Sequence, residues 1–361
     1  MTDSSTALTA RRARVAAELD HAGRGAVVAE SPAAIAFLTE VDVRGFSGRG
    51  PVAVARRDGS VALVASLADR PLIEGAGYDG EVRYWTLGRT AERTRLREIV
   101  AAAAPDAVTP GAPTDTELLD AAMRTRDADE IVRLREAANL ADIGYTAIVD
   151  RMTRDLRSLE IVRNVDRSLR SAGGGGWWSP LERAEGASVM THYPVQSIAV
   201  LLGRGVEPGV LDVASTLPFA LYPLSRGYAG AAGTTIVLSA PSAELRSQAE
   251  ALGAGVQAAL AALAPGVTGG QVHAAFAAAL GGTVPLADVD PLLGYSIGTG
   301  MGGVLIDAHS RDELQPDEAI SIRAALPGVG GSGIAFQTTA LITESGAEVL
   351  NRVPMRLIEL Y

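Results

Sequence analysis

The sequence predicts a mixed α/β (α+β) protein of two domains, a small one over residues 1–125 and a larger one over residues 126–361. Three observations predict it. The 361 residues exceed a typical domain of roughly 150 residues more than twofold. Short Val- and Ile-rich runs alternate with helical periodicities along the chain. A long amphipathic helix, read from Asp127 to Arg154, opens the second set of elements.

In the first domain, ARRARVAAELDHAGR over residues 10–24 spaces apolar residues as a helix does, and the following Gly fits a stop. GAVVAE, PAAIAFLTEV and PVAVARRDGSVALVAS come next, and Asp58-Gly59 between two Val-rich runs predicts a hairpin. Helical patterns over 90–104 and 115–125 complete the unit. The Asp127 helix starts with acids at its positive dipole end. A second helix over 158–171 runs into Gly173 to Gly176, which predicts a loop through Trp177-Trp178. From residue 195 on, the runs SIAVLLG, LPFALYPL, TTIVLS, AISIRAAL and GIAFQTTALIT read as strands, and Ala-rich stretches near 242–264 and 269–280 as helices.

The residue inventory excludes much chemistry. There is no Cys, so no thiol nucleophile, disulfide or Cys-bound metal; there is no Lys, so all 32 basic residues are Arg, and Schiff-base and P-loop lysines are absent. A net charge of -10 with dispersed Arg argues against a nucleic-acid partner. The N-terminus lacks an apolar h-region and no long apolar run follows, so a cytoplasmic protein without a membrane partner is expected. All-Arg usage with abundant Ala and Gly looks like a GC-rich bacterial genome.

Four His remain as groups that titrate near neutral pH. His21 and His273 fall on helices and read as structural. His192, in Thr191-His192-Tyr193-Pro194, and His309, in Asp307-Ala308-His309-Ser310, lie in irregular connections, where functional and structural roles are both open. Strand-like segments of the second half carry almost no acids, which disfavours a metal centre. Gly-x-Ser-x-Gly is missing, and Gly298 to Gly303 reads as a close-packing turn.

Taken in order, these segments resemble the creatinase, prolidase and aminopeptidase P group. Phe37-Leu38-Thr39-Glu40 stands where that family has Tyr-Leu-Thr-Gly, and Arg124 to Ala138 (RTRDADEIVRLREAA) looks like its junction helix. Gly227-Tyr228-Ala229-Gly230-Ala231-Ala232-Gly233-Thr234-Thr235 fits the frame of the family's Gly-Tyr-x-x-Asp-x-x-Arg-Thr. The resemblance implies a small creatinase-like domain followed by a C-terminal pita-bread domain. It also puts Ala220 and Ala231 at the two metal aspartates, Met301 at the metal histidine, and Arg323 and Gln337 at the two metal glutamates. No cofactor is therefore expected, since methyls, a thioether and a guanidinium do not suit a hard divalent ion.

The resemblance further implies a homodimer and a creatinase-like, metal-independent hydrolase acting on a small, anionic substrate. In that reading His309, His192 and Tyr228 carry the chemistry, as C–N hydrolysis or as elimination, isomerisation or cyclisation in specialised metabolism. Arg323 anchors the substrate's carboxylate, and Gln337, Tyr222, Arg226 and Met301 line the pocket. His309 stands one residue further from Met301 than the family's second histidine does from the first. In the alternative reading the protein is a catalytically inactive scaffold for a ligand or another protein, and Arg323 pairs with a local acid such as Asp307 or Glu318.

Overall fold

The structure is a computed structural model; it describes residues 4–41, 51–85, 114–152, 158–174, 176–177, 216–298, 301–327 and 333–361. The predicted helix at 90–104, the run SIAVLLG and His192 lie outside the described residues. The chain divides into two compact units, Met1–Asp129 and Glu130–Tyr361.

In the first unit, α1 (Ser4–His21) leads to β1 (Ala26–Ala29), α2 (Pro32–Thr39), β2 (Val52–Arg56), β3 (Val61–Ser66), α3 (Arg70–Gly75), β4 (Glu81–Trp85) and α4 (Asp115–Ala122). The sheet runs β1-β2-β3-β4, antiparallel except for the parallel pair β3 and β4. The predicted hairpin is β2 and β3; Gly59 takes the positive φ of 80° at its turn, and the Ser60 amide donates to Asp58 Oδ1 at 2.9 Å. PAAIAFLTEV folds as α2 because Ser31 caps it, accepting from the Ala34 amide, and Pro32 is tolerated in the first turn. Its C-cap is Glu40, at φ 59°, a left-handed conformation that a Gly would adopt without strain. The Glu40 carboxylate is held at 3.1 Å by Arg11. Val15 and Leu19 of α1 pack with Phe37, Leu38, Leu63 and Leu119 in the core.

The second unit begins in the first turn of α5 (Ala128–Val149) and continues through α6 (Ser158–Ser171), β5 (Gly176–Trp177), β6 (Thr216–Leu221), β7 (Pro223–Ser225), β8 (Tyr228–Ala229) and β9 (Ala232–Val237). Then follow α7 (Ala243–Ala262), α8 (Gly269–Ala279), β10 (Gly294–Ile297), β11 (Met301–Ile306), β12 (Ala319–Leu326), β13 (Ile334–Thr343), β14 (Gly346–Val349) and β15 (Ile358–Glu359). The main sheet has the order β11-β10-β12-β13-β9-β15, with β14 on β13 and β6 on β9. Two expectations are corrected. Gly176-Trp177, read as loop, forms a short strand because it finds a partner in Pro223-Leu224. Met301 to Gly303, read as part of a turn, belongs to β11.

Alternation in β12 and β13 divides two environments. Ile320, Ile322, Phe336, Ala340 and Ile342 join Leu252, Val256 and Phe276 of α7 and α8 in one apolar core. Ser321, Arg323, Gln337 and Thr339 alternate with them and so project from the opposite face. The approach of the β8–β9 connection to α5 demands Gly230, where an added Cβ would lie 2.5 Å from the backbone of Ala137 and Ala138. No described helix is long and apolar enough to cross a membrane.

Candidate functional site

The strand registers bring several predicted positions into one row. Ala220 of β6 pairs with Gly233 of β9, Gly233 with Gln337 of β13, and Gln337 with Arg323 of β12. Residues directly opposite in antiparallel strands share a face. One residue pair along, Ser321 of β12 faces Tyr295 of β10. Ala231 enters β9 with its amide bonded to Thr339 Oγ1 at 2.9 Å, and Met301 pairs with Ile297. The positions that the resemblance assigns to ligands on β6, β12 and β13 thus share one sheet face.

What fills that face is a set of polar groups that bond one another. Tyr222, one residue beyond β6, donates its hydroxyl proton to Gln337 Oε1 at 2.8 Å. Gln337 Nε2 donates to Tyr295 Oη at 3.1 Å and to Ser321 Oγ at 2.8 Å. The two phenol oxygens are 3.1 Å apart. Tyr222, Tyr295, Ala231 and Ile297 belong to one buried apolar cluster, so this polar group sits in a dry surround. Buried polar groups are costly unless paired, and both the oxygen and the nitrogen of the Gln337 amide have partners.

Arg323 was expected to anchor a ligand anion, or to pair with Asp307 or Glu318. Among the described residues it pairs with Asp290, 2.6 Å from Nη1, with both side chains buried. Asp290 is fixed in turn, because its amide donates to the Ala325 carbonyl beside Arg323 and its Oδ1 accepts from the Leu292 amide. A guanidinium neutralised this way is a weak anchor for a substrate carboxylate.

Three further expected site residues, Tyr228, Arg226 and His309, have partners of their own or stand at the surface. Tyr228 is wholly buried in the same cluster as Tyr222 and Tyr295, its hydroxyl donating to Glu130 Oε1 at 3.0 Å while Arg133 lies 5.6 Å over its ring; it joins the hairpin to α5. Arg226 is exposed at the two-residue turn between β7 and β8, where Arg226 and Gly227 both have positive φ, as a type I′ turn requires. Its guanidinium bonds both oxygens of Glu136, at 2.8 and 2.9 Å, instead of entering a pocket. Burial raises the Glu136 pKa, but hydrogen bonds from Arg226 and Ser225 outweigh it and hold the carboxyl below its ordinary range.

His309 is the third. It is exposed on the turn after β11, its amide donating to Asp307 Oδ1 at 2.7 Å, and it lies by the buried His273 of α8. Between Met301 and His309 the strand is irregular: the four-residue step from Met301 to Leu305 opposes the two-residue step from Tyr295 to Ile297, with Gly303 at φ 75° in this bulge. Burial lowers the pKa of His273, an effect that Asp307 opposes.

Sequence reasoning missed Tyr295, Ser321 and Asp290. Ser321 was recoverable from the strict alternation of AISIRAAL; Asp290 precedes a connection without periodicity and carries no local signal.

The family implies a pair of divalent ions at this place, and the residues present do not fit it. Two methyls, a thioether, a guanidinium and one amide offer a single hard oxygen donor, and that oxygen already accepts from Tyr222. Among the described residues no group of three or more His, Asp or Glu could hold a metal ion.

The comparisons agree with this fold. The chain is similar to a dipeptidase, PepE, from Mycobacterium ulcerans, with a TM-score of 0.76 and 20% identity over 98% of both chains. A prolidase from Thermococcus sibiricus gives 0.78 and 14%, covering 97% of this chain and 98% of its own. The N-terminal domain of the FACT complex subunit SPT16 from Cicer arietinum (chickpea) gives 0.68 and 12%, covering 96% of each. No curated protein matches the sequence. The family described as metallopeptidase family M24 matches residues 132–344, more than half of the chain, and this protein, with its pita-bread fold, belongs to that family.

Proposed function

We propose that this M24 protein has left metallopeptidase chemistry and works as a metal-independent binding scaffold built on the pita-bread fold. The observation that carries the reading is the polar centre, whose groups bond one another: Gln337 bonds Tyr222, Tyr295 and Ser321, and Arg323 pairs with Asp290. A hydrolytic metal site needs an activated water held by open ligand positions, and these side chains bond each other instead. One structural neighbour is named as a subunit of a complex, which supports a role in protein association. As a scaffold the protein would work as a homodimer, a state that light scattering of the purified chain reads directly.

A second reading is supported by neighbours named as a dipeptidase and a prolidase: a metal-independent hydrolase acting on a small carboxylate-bearing substrate. Its general base would be His192, because His309 sits on the outer turn by His273. Incubation of the purified protein with Xaa-Pro and other dipeptides, with and without Mn²⁺, Co²⁺ or Zn²⁺, tests both. The scaffold predicts release of no free amino acid above a protein-free blank. Metal-dependent cleavage would overturn metal independence, and metal-free turnover lost in His192→Ala would install the second reading.

A further inference from the structure

We infer that Tyr222, Gln337 and Tyr295 form a closed hydrogen-bond ring that ties the strands of this sheet in place of an ion, so that the centre of the pita-bread domain is complete without metal. The inference rests on the metal independence proposed above and adds the device that makes it structurally sufficient.

The directions of the bonds follow from chemistry. Gln337 Oε1 can only accept, so the Tyr222 hydroxyl donates to it; Gln337 Nε2 can only donate, so the Tyr295 oxygen accepts. The remaining proton, that of Tyr295, has the Tyr222 oxygen 3.1 Å away as its acceptor, and this closes the ring. Within the ring each member gives one of these bonds to the next and receives one from the last, and bonds running in one sense around a ring polarise one another. The second Gln337 amide proton extends the ring to Ser321.

Placement gives the ring its reach. Tyr222 follows β6, Tyr295 lies in β10, Ser321 in β12 and Gln337 in β13; with β9 between β6 and β13, the bonds span five neighbouring strands. Three of these strands, β6, β12 and β13, are ones to which the resemblance assigns a metal-ligand position: Ala220, Arg323 and Gln337. The Arg323–Asp290 pair fixes a guanidinium in the same row, where it repels a cation. The ring therefore acts as a unit: opening it at one phenol strands the amide of Gln337.

The test uses the full chain, dialysed against a chelator, and reads thermal unfolding with no metal and with Mn²⁺, Co²⁺ or Zn²⁺ added singly. The Tm of the wild type should be the same in all four conditions. Tyr222→Phe and Tyr295→Phe should each lower Tm by roughly 3–8 °C, since each leaves a buried amide group without its partner. Together they should lower it by less than the sum, because the second change acts on a ring already open. A rise in Tm with any of the metals, single variants that unfold like the wild type, or strictly additive losses would each overturn the inference. The metal arm needs no variant and decides even if a Tyr→Phe chain fails to fold. Peptide turnover would defeat the scaffold reading while leaving these Tm values unmoved, so the two failures are distinguishable.

Discussion

In the N-terminal unit Arg11 is wholly buried, yet it meets three carboxylates: Glu40 at 3.1 Å, Asp127 at 2.8 Å and Asp129 at 2.8 Å, whose side chains keep 23, 25 and 23% of their surface. In the C-terminal unit Arg323 is 5% exposed and its partner Asp290 2%. Both sites neutralise a guanidinium that cannot lose its proton. The first places the cation inside and leaves the anions at the edge of water; the second removes both charges from solvent. A dry pair gains strong attraction only while both partners stay, whereas acids at a wet edge retain water as a substitute partner.

The comparison breaks hardest at Asp290. Asp290→Asn removes the negative charge that faces a buried guanidinium and should destabilise the chain by about 3–5 kcal/mol in urea unfolding. The double change Arg323→Met with Asp290→Leu should recover most of that loss, since an apolar pair of similar volume is often neutral or better. Loss in the double equal to or greater than that of Asp290→Asn would show that the pair does more than neutralise charge. Arg11→Met should cost less, about 2 kcal/mol, because the three acids reach water and Arg14 stays 3.8 Å from Asp127. Equal losses at the two sites would contradict the distinction drawn between them.

Smaller effects sharpen the same contrast. Glu40→Gly removes one of three partners of Arg11 but also relieves the left-handed backbone at φ 59°. A gain of about 1 kcal/mol from Gly against an ion pair worth about 0.2–1 kcal/mol predicts a net change within about 0.5 kcal/mol; a loss near that of Arg11→Met would show that Glu40 carries the site alone. His273 gives the smallest effect: it is buried, and burial lowers its pKa. The unfolded chain then binds the proton more readily than the folded one. Stability should fall as pH drops below the ordinary histidine pKa of about 6.5. His273→Gln should flatten that part of a Tm-against-pH curve, and an unchanged slope would assign the dependence to other groups.

Much of this fold is legible from local pattern. Asp58-Gly59 announced its hairpin, and the helices at Asp115–Ala122, Ala243–Ala262 and Gly269–Ala279 fall within a few residues of their predicted ranges. Thr114 and Thr268 cap two of them with capping boxes. The resemblance located the sheet face that holds Ala220, Arg323 and Gln337, since spacing survives where residue types have changed. Roles were less legible. Tyr228 and Arg226 sit beside Ala231 in the chain but turn toward Glu130 and Glu136 of α5, partners more than 85 residues away in sequence.

The sequence by itself determined the family and the order of helices and strands, because hydrophobic period, turn chemistry and side-chain identity are local properties. Only the tertiary structure decided that Arg323 pairs with Asp290, that Gln337 joins two tyrosines, and that His309 stands apart beside His273. Such choices depend on strand register and burial: a buried guanidinium or amide bonds whichever partner the sheet brings within about 3 Å, and that partner carries no mark in its own stretch of chain.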